Sequence, residues 1–150
     1  MAQALAQDET RRVIAILGGP KVLSRKVKTT ADLQSALREG FPYATFERLL
    51  TALDLTSKGL AELLGVAPRT LARRKKGQQL SPTESDRLYR VAYITALAVD
   101  VLGSMEKAKR WLSAENRALG GSAPIGVLDT EIGERQVEEL LQRIHYGVFS

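Results

Sequence analysis

The 150-residue chain has no cysteine and one histidine, His145. The first absence excludes disulfide staples and thiolate chemistry, and it suits a reducing compartment. The second leaves a zinc or haem site to be built from carboxylates almost alone. His145 is therefore read as a polar residue on a helix flank, and no metal or other cofactor is expected. Long hydrophobic runs are also missing. "VIAIL" (Val13 to Leu17) is too short for a secretory signal and follows Asp8, Glu9, Arg11 and Arg12. "VAYITALAVDVLG" contains Asp100 and falls short of a membrane span. The expectation is a soluble, cytoplasmic protein with no membrane partner. Nor is there a nucleophile or metal arrangement of a known kind, and Glu138 and Glu139, adjacent on a helix, point apart. The chain is read as a non-enzyme.

What is present is ordinary for a globular chain: 44% hydrophobic and 26% charged residues. This length fits one domain, or two small helical lobes sharing a core. The net charge of +5 is unevenly placed. Residues 1–55 carry eight positive and six negative side chains, a balance of +2. Residues 56–90 carry eight against three, or +5, and residues 91–150 six against eight, or −2. A basic middle third is a footprint of phosphate binding.

Helical periodicity dominates, so the fold is expected to be all-α. "DETRRVIAIL" reads as a first helix stopped by Gly18-Gly19-Pro20. Val22 to Lys28 has mixed character, compatible with an extended segment. A helix capped by Thr30 runs to Gly40, and "YATFERLLTAL" follows with Phe46, Leu49, Leu50 and Leu53 on one stripe. The clearest helix start is Ser81-Pro82, with Glu84 placed to close a capping box; that helix should end near Gly103. "MEKAKRWLSAEN" forms the next helix and "ALGGSAPIGVLDT" a loop. The last helix places Val137, Leu140, Leu141 and Ile144 on one face. Domain boundaries are set at 1–42 (a helical segment and candidate dimerisation element), 43–90 and 91–150.

Within the basic third, "TSKGLAELLGVAPRTLARRKKGQ" reads as helix, tight turn, helix. Ala61 is small where two helices cross, Gly65 suits a positive φ in the turn, and Val66 packs beneath it. Pro68 opens the second helix and Leu71 anchors it. Lys58, Arg69, Thr70, Arg73, Arg74, Lys75 and Lys76 are the candidate DNA-binding residues, since arginine reads guanine and lysine or arginine holds phosphate in a major groove. The alternative is a solvated helix end favoured by the macrodipole. With Ala61, Gly65, Val66, Thr70 and Leu71 as matching positions, the segment resembles the helix-turn-helix of Xre-like regulators. It departs at Arg74, where an apolar anchor is usual; either Leu80 fills the gap or the second helix sits differently.

From Trp111 onward the chain resembles the C-terminal toxin-binding domain shared by the Xre, MbcA and ParS antitoxins. The resemblance rests on Trp111, Leu112, Asn116, Leu119, Gly120, Gly121, Pro124, Leu128, Thr130, Gly133, Val137, Leu140, Leu141, Ile144, Tyr146 and Gly147. It implies an Xre-like helix-turn-helix domain packed on a C-terminal helical toxin-binding domain. It also implies a RES-domain, NAD-degrading toxin as partner, its active-site cleft covered by the antitoxin's C-terminal segment. A homodimer bound to its own promoter as autorepressor is implied as well. Trp111 is expected as a buried anchor beneath the Gly-Gly-x-x-Pro loop. Candidate toxin-binding residues are Asn116, Leu119, Gly120, Gly121, Pro124, Leu128, Arg143, Tyr146, Gly147, Val148, Phe149 and Ser150. The closing "IHYGVFS" is unusually apolar for a chain end. A stand-alone helix-turn-helix regulator, its second half serving dimerisation, is the alternative.

Overall fold

The computed structural model describes residues 2–147, with side chains from Asp8 onward; Val148, Phe149 and Ser150 lie outside the described residues. The helices are α1 (Ala2–Ile16), α2 (Gly19–Leu23), α3 (Thr30–Glu39), α4 (Tyr43–Leu53) and α5 (Ser57–Leu64). They continue with α6 (Pro68–Gly77), α7 (Pro82–Leu102), α8 (Met105–Ser113) and α9 (Glu131–His145). Among the described residues there is no strand, only an isolated bridge between Pro42 and Gln79. The all-α expectation holds.

The fold is organised around α7, and its start is written locally. Ser81 Oγ accepts from the Glu84 amide at 3.1 Å while Glu84 Oε1 accepts from the Ser81 amide at 2.9 Å, closing the capping box with Pro82 in the first turn. Gly103, at φ +100°, ends the helix. In between, Leu88, Val91, Ile94 and Ala98 are wholly buried, because α1, α3, α5, α8 and α9 all pack on α7. Thr95 is buried too, and its hydroxyl donates to the Val91 carbonyl at 2.8 Å, so no polar group is left unpaired there. One cluster of buried apolar residues runs from Val13 and Leu17 through Phe46 and Leu64 to Leu112 and Leu141. Residues 1–42 thus contribute α1 and α3 to the common core.

Several local expectations are corrected. The first helix begins at Ala2, ahead of Asp8. Pro20 opens α2 instead of completing a stop, since its fixed φ suits a first turn, and Val22 and Leu23 are helical, not extended. Thr29, not Thr30, caps α3: Asp32 lies three residues on from Thr29 and closes the box with it. The amides of Lys28 and Thr29 donate to Asp32 at 3.0 and 3.1 Å, which holds its carboxyl below the usual aspartate range. The loop after α8 contains two short 3-10 turns, Arg117–Leu119 and Pro124–Val127. On α9, Val137 and Leu141 are buried and Leu140 half-buried, whereas Ile144 is 38% exposed. The buried face of α9 ends at Leu141, one turn before Ile144. Gly133 lies so close to Val127 that a Cβ would overlap its carbonyl oxygen. Glycine at that point lets α9 seat on the 3-10 turn before it.

Among the described residues no single helix is long and apolar enough to cross a membrane.

Candidate functional site

The helix-turn-helix is assembled as its spacing predicts. Thr56 caps α5 by accepting from the Gly59 amide at 2.9 Å. Gly65 takes φ +66°, a left-handed turn that a β-carbon disfavours, and Ala61 and Val66 are buried at the crossing. Pro68 opens α6, and Leu71 is half-buried against the core. Lys58, Arg69, Arg73, Lys75 and Lys76 are exposed and Thr70 is half-buried. Arg73 reaches back toward the Thr70 hydroxyl at 3.5 Å. Arg74, Lys75 and Lys76 occupy the last turn of α6, where its dipole favours positive charge.

Arg74 has a different setting from its neighbours. Its Nε donates to Glu84 Oε1 at 2.8 Å, with the two side chains 31% and 10% exposed. Burial alone would raise the Glu84 carboxyl, but the Arg74 guanidinium and the Ser81 amide outweigh it and hold the group below the usual glutamate value. Leu80 is buried as well, and where an apolar anchor is usual α6 carries this ion pair to α7. A second guanidinium from α7 acts on the turn itself. Arg87 Nη1 donates to the Leu64 carbonyl at 2.7 Å, satisfying an orphan acceptor at the end of α5. Neither α7 contact is visible as a local sequence pattern.

The second surface is built on the segments that follow α7, from α8 through the loop to α9. Asn116 Oδ1 accepts from the Ala118 amide at 3.0 Å, and the Leu119 and Gly121 amides both donate to the Asn116 carbonyl at 3.0 Å. Gly120 and Gly121, exposed and at positive φ, therefore form a small knuckle closed on Asn116, with Leu119 half-buried under it. Pro124 and Leu128 are buried, so they support this surface from below instead of lining it. Trp111 is half-buried against the core, less enclosed than the buried anchor expected of it. Arg143 and Gly147 are exposed.

Among the described residues, the large apolar side chains left exposed all belong to α9 or its cap: Ile132 (71%), Ile144 (38%) and Tyr146 (76%). Ile132, Gln136, Glu139, Arg143 and Tyr146 follow one another at four- and three-residue steps, which places them on one outward face of α9. Ile132 lies opposite Val137 and Leu141 on the helical wheel, which is the sequence signal for its outward position. An open groove of about 410 Å³ lies where α1, α7 and α9 meet, bordered by Arg12, Tyr93, Leu97, Asp100, His145 and Tyr146. Arg12 is held there between Asp8 and Asp100, 3.0 Å from each.

Known proteins match both surfaces. Residues 32–93 match the antitoxin Xre-like helix-turn-helix domain, and residues 97–147 match the antitoxin Xre/MbcA/ParS C-terminal toxin-binding domain. The chain is 35% identical to antitoxin Xre of Pseudomonas putida over 137 residues, covering 91% of this chain and 82% of that one. It is 30% identical to antitoxin Xre of Photorhabdus laumondii over 120 residues, covering 79% and 81%. A protein of Sphingobium sp. named Prs ADP-ribosylating antitoxin is 27% identical over 129 residues, covering 79% and 81%. A basic helix-turn-helix and a C-terminal toxin-binding domain, joined through one helix and matched along most of the chain, make this protein a member of the Xre antitoxin family.

Proposed function

We propose that this antitoxin neutralises a RES-domain, NAD-degrading toxin by covering its active-site cleft, and that it represses its own promoter as a homodimer. It acts by binding and not by catalysis, in the cytoplasm, where its toxin and its operator are both within reach. The observation that carries the toxin half is that the large apolar side chains exposed among the described residues all lie on α9 and its cap, with Tyr146 76% exposed. Large apolar side chains left exposed at both ends of one helix face suit anchors for a partner laid along it. The knuckle at Gly120 and Gly121 adds exposed backbone without side-chain cover to the same half, its amides already spent on the turn.

The operator half rests on Lys58, Arg69, Arg73, Lys75 and Lys76, exposed around α5 and α6. A dimer would present two such helices to half-sites one helical turn apart. Co-expression with the RES-like protein of the adjacent reading frame tests the reading. A co-purifying complex that restores growth and preserves cellular NAD is expected. Independent migration of the two proteins, with DNA binding intact, would leave a stand-alone regulator.

A further inference from the structure

We infer that Glu84 positions the recognition helix, and that Arg74 is a positioning residue and not a phosphate contact. The inference rests on the DNA-binding reading above. It begins from a deficit: α6 has no buried residue, and only Leu71 and Arg74 among its apolar or basic side chains are even half-buried. A helix so weakly packed needs other restraints to hold a fixed angle in a groove. Its exit is tied by backbone, the Gln78 carbonyl accepting from the Tyr43 amide at 3.0 Å and the Gln79 amide donating to the Arg74 carbonyl at 3.2 Å. Its body is tied by the Arg74–Glu84 pair.

Glu84 is well prepared for this task. Its Oε1 already accepts from the Ser81 amide, so the carboxylate is fixed to the first turn of the helix on which α1, α3, α5, α8 and α9 pack. A charge-assisted bond to a group fixed in this way sets direction as well as distance. Arg87 secures the other side of the turn through the Leu64 carbonyl. Arginine therefore replaces the apolar anchor at position 74 because its partner is a capping glutamate and not the core. The location is otherwise unfavourable, since a carboxylate beside a basic surface repels the phosphates that surface attracts.

That conflict supplies the test. Glu84→Gln removes the charge and keeps the capping box, which glutamine also closes. Long-range electrostatics alone predicts tighter DNA binding for this variant; the clamp predicts weaker. The probes are a duplex from the chain's own upstream region and an unrelated duplex of equal length, titrated at several salt concentrations. Glu84→Gln and Arg74→Gln are each expected to bind the upstream duplex about tenfold more weakly, and the double variant no more weakly than either. The slope of log affinity against log salt is expected to stay at the wild-type value. Arg74→Gln leaves the cap untouched, so it carries the test if the Glu84 variant melts early. Tighter or unchanged binding by Glu84→Gln, or a slope flattened by about 0.9 in Arg74→Gln, would overturn the clamp. Wild-type protein that ignores the upstream duplex would instead overturn the DNA-binding reading, and the clamp with it.

Discussion

The Tyr93 hydroxyl on α7 donates to the Glu138 carboxylate on α9 at 2.9 Å. Burial, and then the bond to Glu138, push this phenol well above its ordinary range, so it stays protonated and donating. Tyr93→Phe leaves Glu138 without that donor and is expected to cost about 1 kcal/mol, read as a lower urea midpoint. Because the bond joins α9 to α7, toxin capture is expected to weaken while operator affinity holds.

A second link between the same helices predicts a pH dependence. Arg90 Nε lies 2.8 Å from Glu134 Oε2, both side chains being largely buried. Burial raises the Glu134 carboxyl, Arg90 only partly offsets it, and Glu138 adds repulsion. A folded-state pKa above the unfolded one gives stabilisation that is complete below the unfolded value and lost as pH rises through the folded value. Glu134→Gln lacks that titration. Its stability relative to wild type is therefore expected to rise as pH climbs above the ordinary glutamate range, in paired urea melts. A difference that shrinks as pH climbs would contradict the assignment.

Ile132 tests the outward face of α9. It is 71% exposed, so Ile132→Asp is expected to leave the melting temperature unchanged. Toxin capture, followed by titration calorimetry, is expected to weaken about tenfold or more if this side chain is an anchor. Loss of dimer instead, in light scattering, would assign the face to a second copy of the chain.

Arg69→Ala and Arg73→Ala test the operator face. Each is expected to reduce affinity for the upstream duplex and, where it meets a phosphate, to flatten the salt slope by about 0.9. Their thermal melts should match wild type, as both side chains are exposed.

Features that depend on a few neighbouring residues were legible in the sequence. The Ser81, Pro82 and Glu84 start of α7, the left-handed Gly65 and the Gly103 stop are local conflicts or satisfactions of backbone geometry, and all appear as read. Thr29 and Thr30 are equally good caps by type, and only the three-residue offset to Asp32 separates them. Ile144 follows the periodicity of a core face, yet periodicity does not say where along a helix the packing ends. The Arg74–Glu84, Arg87–Leu64 and Tyr93–Glu138 contacts join residues ten, 23 and 45 positions apart, through helix crossings that no local pattern encodes. The same distance hides the partner of Arg74, whose departure from an apolar anchor is visible in the sequence while Glu84 as its partner is not.

The helix-turn-helix match ends at residue 93 and the toxin-binding match begins at residue 97, both inside the unbroken α7. At 1.5 Å per residue its 21 residues make a strut about 31 Å long. There is no joint in it about which one half could swing. A toxin carried on α9 would thus be delivered to the promoter at a set bearing and a set reach from the DNA axis. The spacing of neighbouring operator sites would then decide, as a matter of clearance, whether two loaded antitoxins stand side by side or exclude each other.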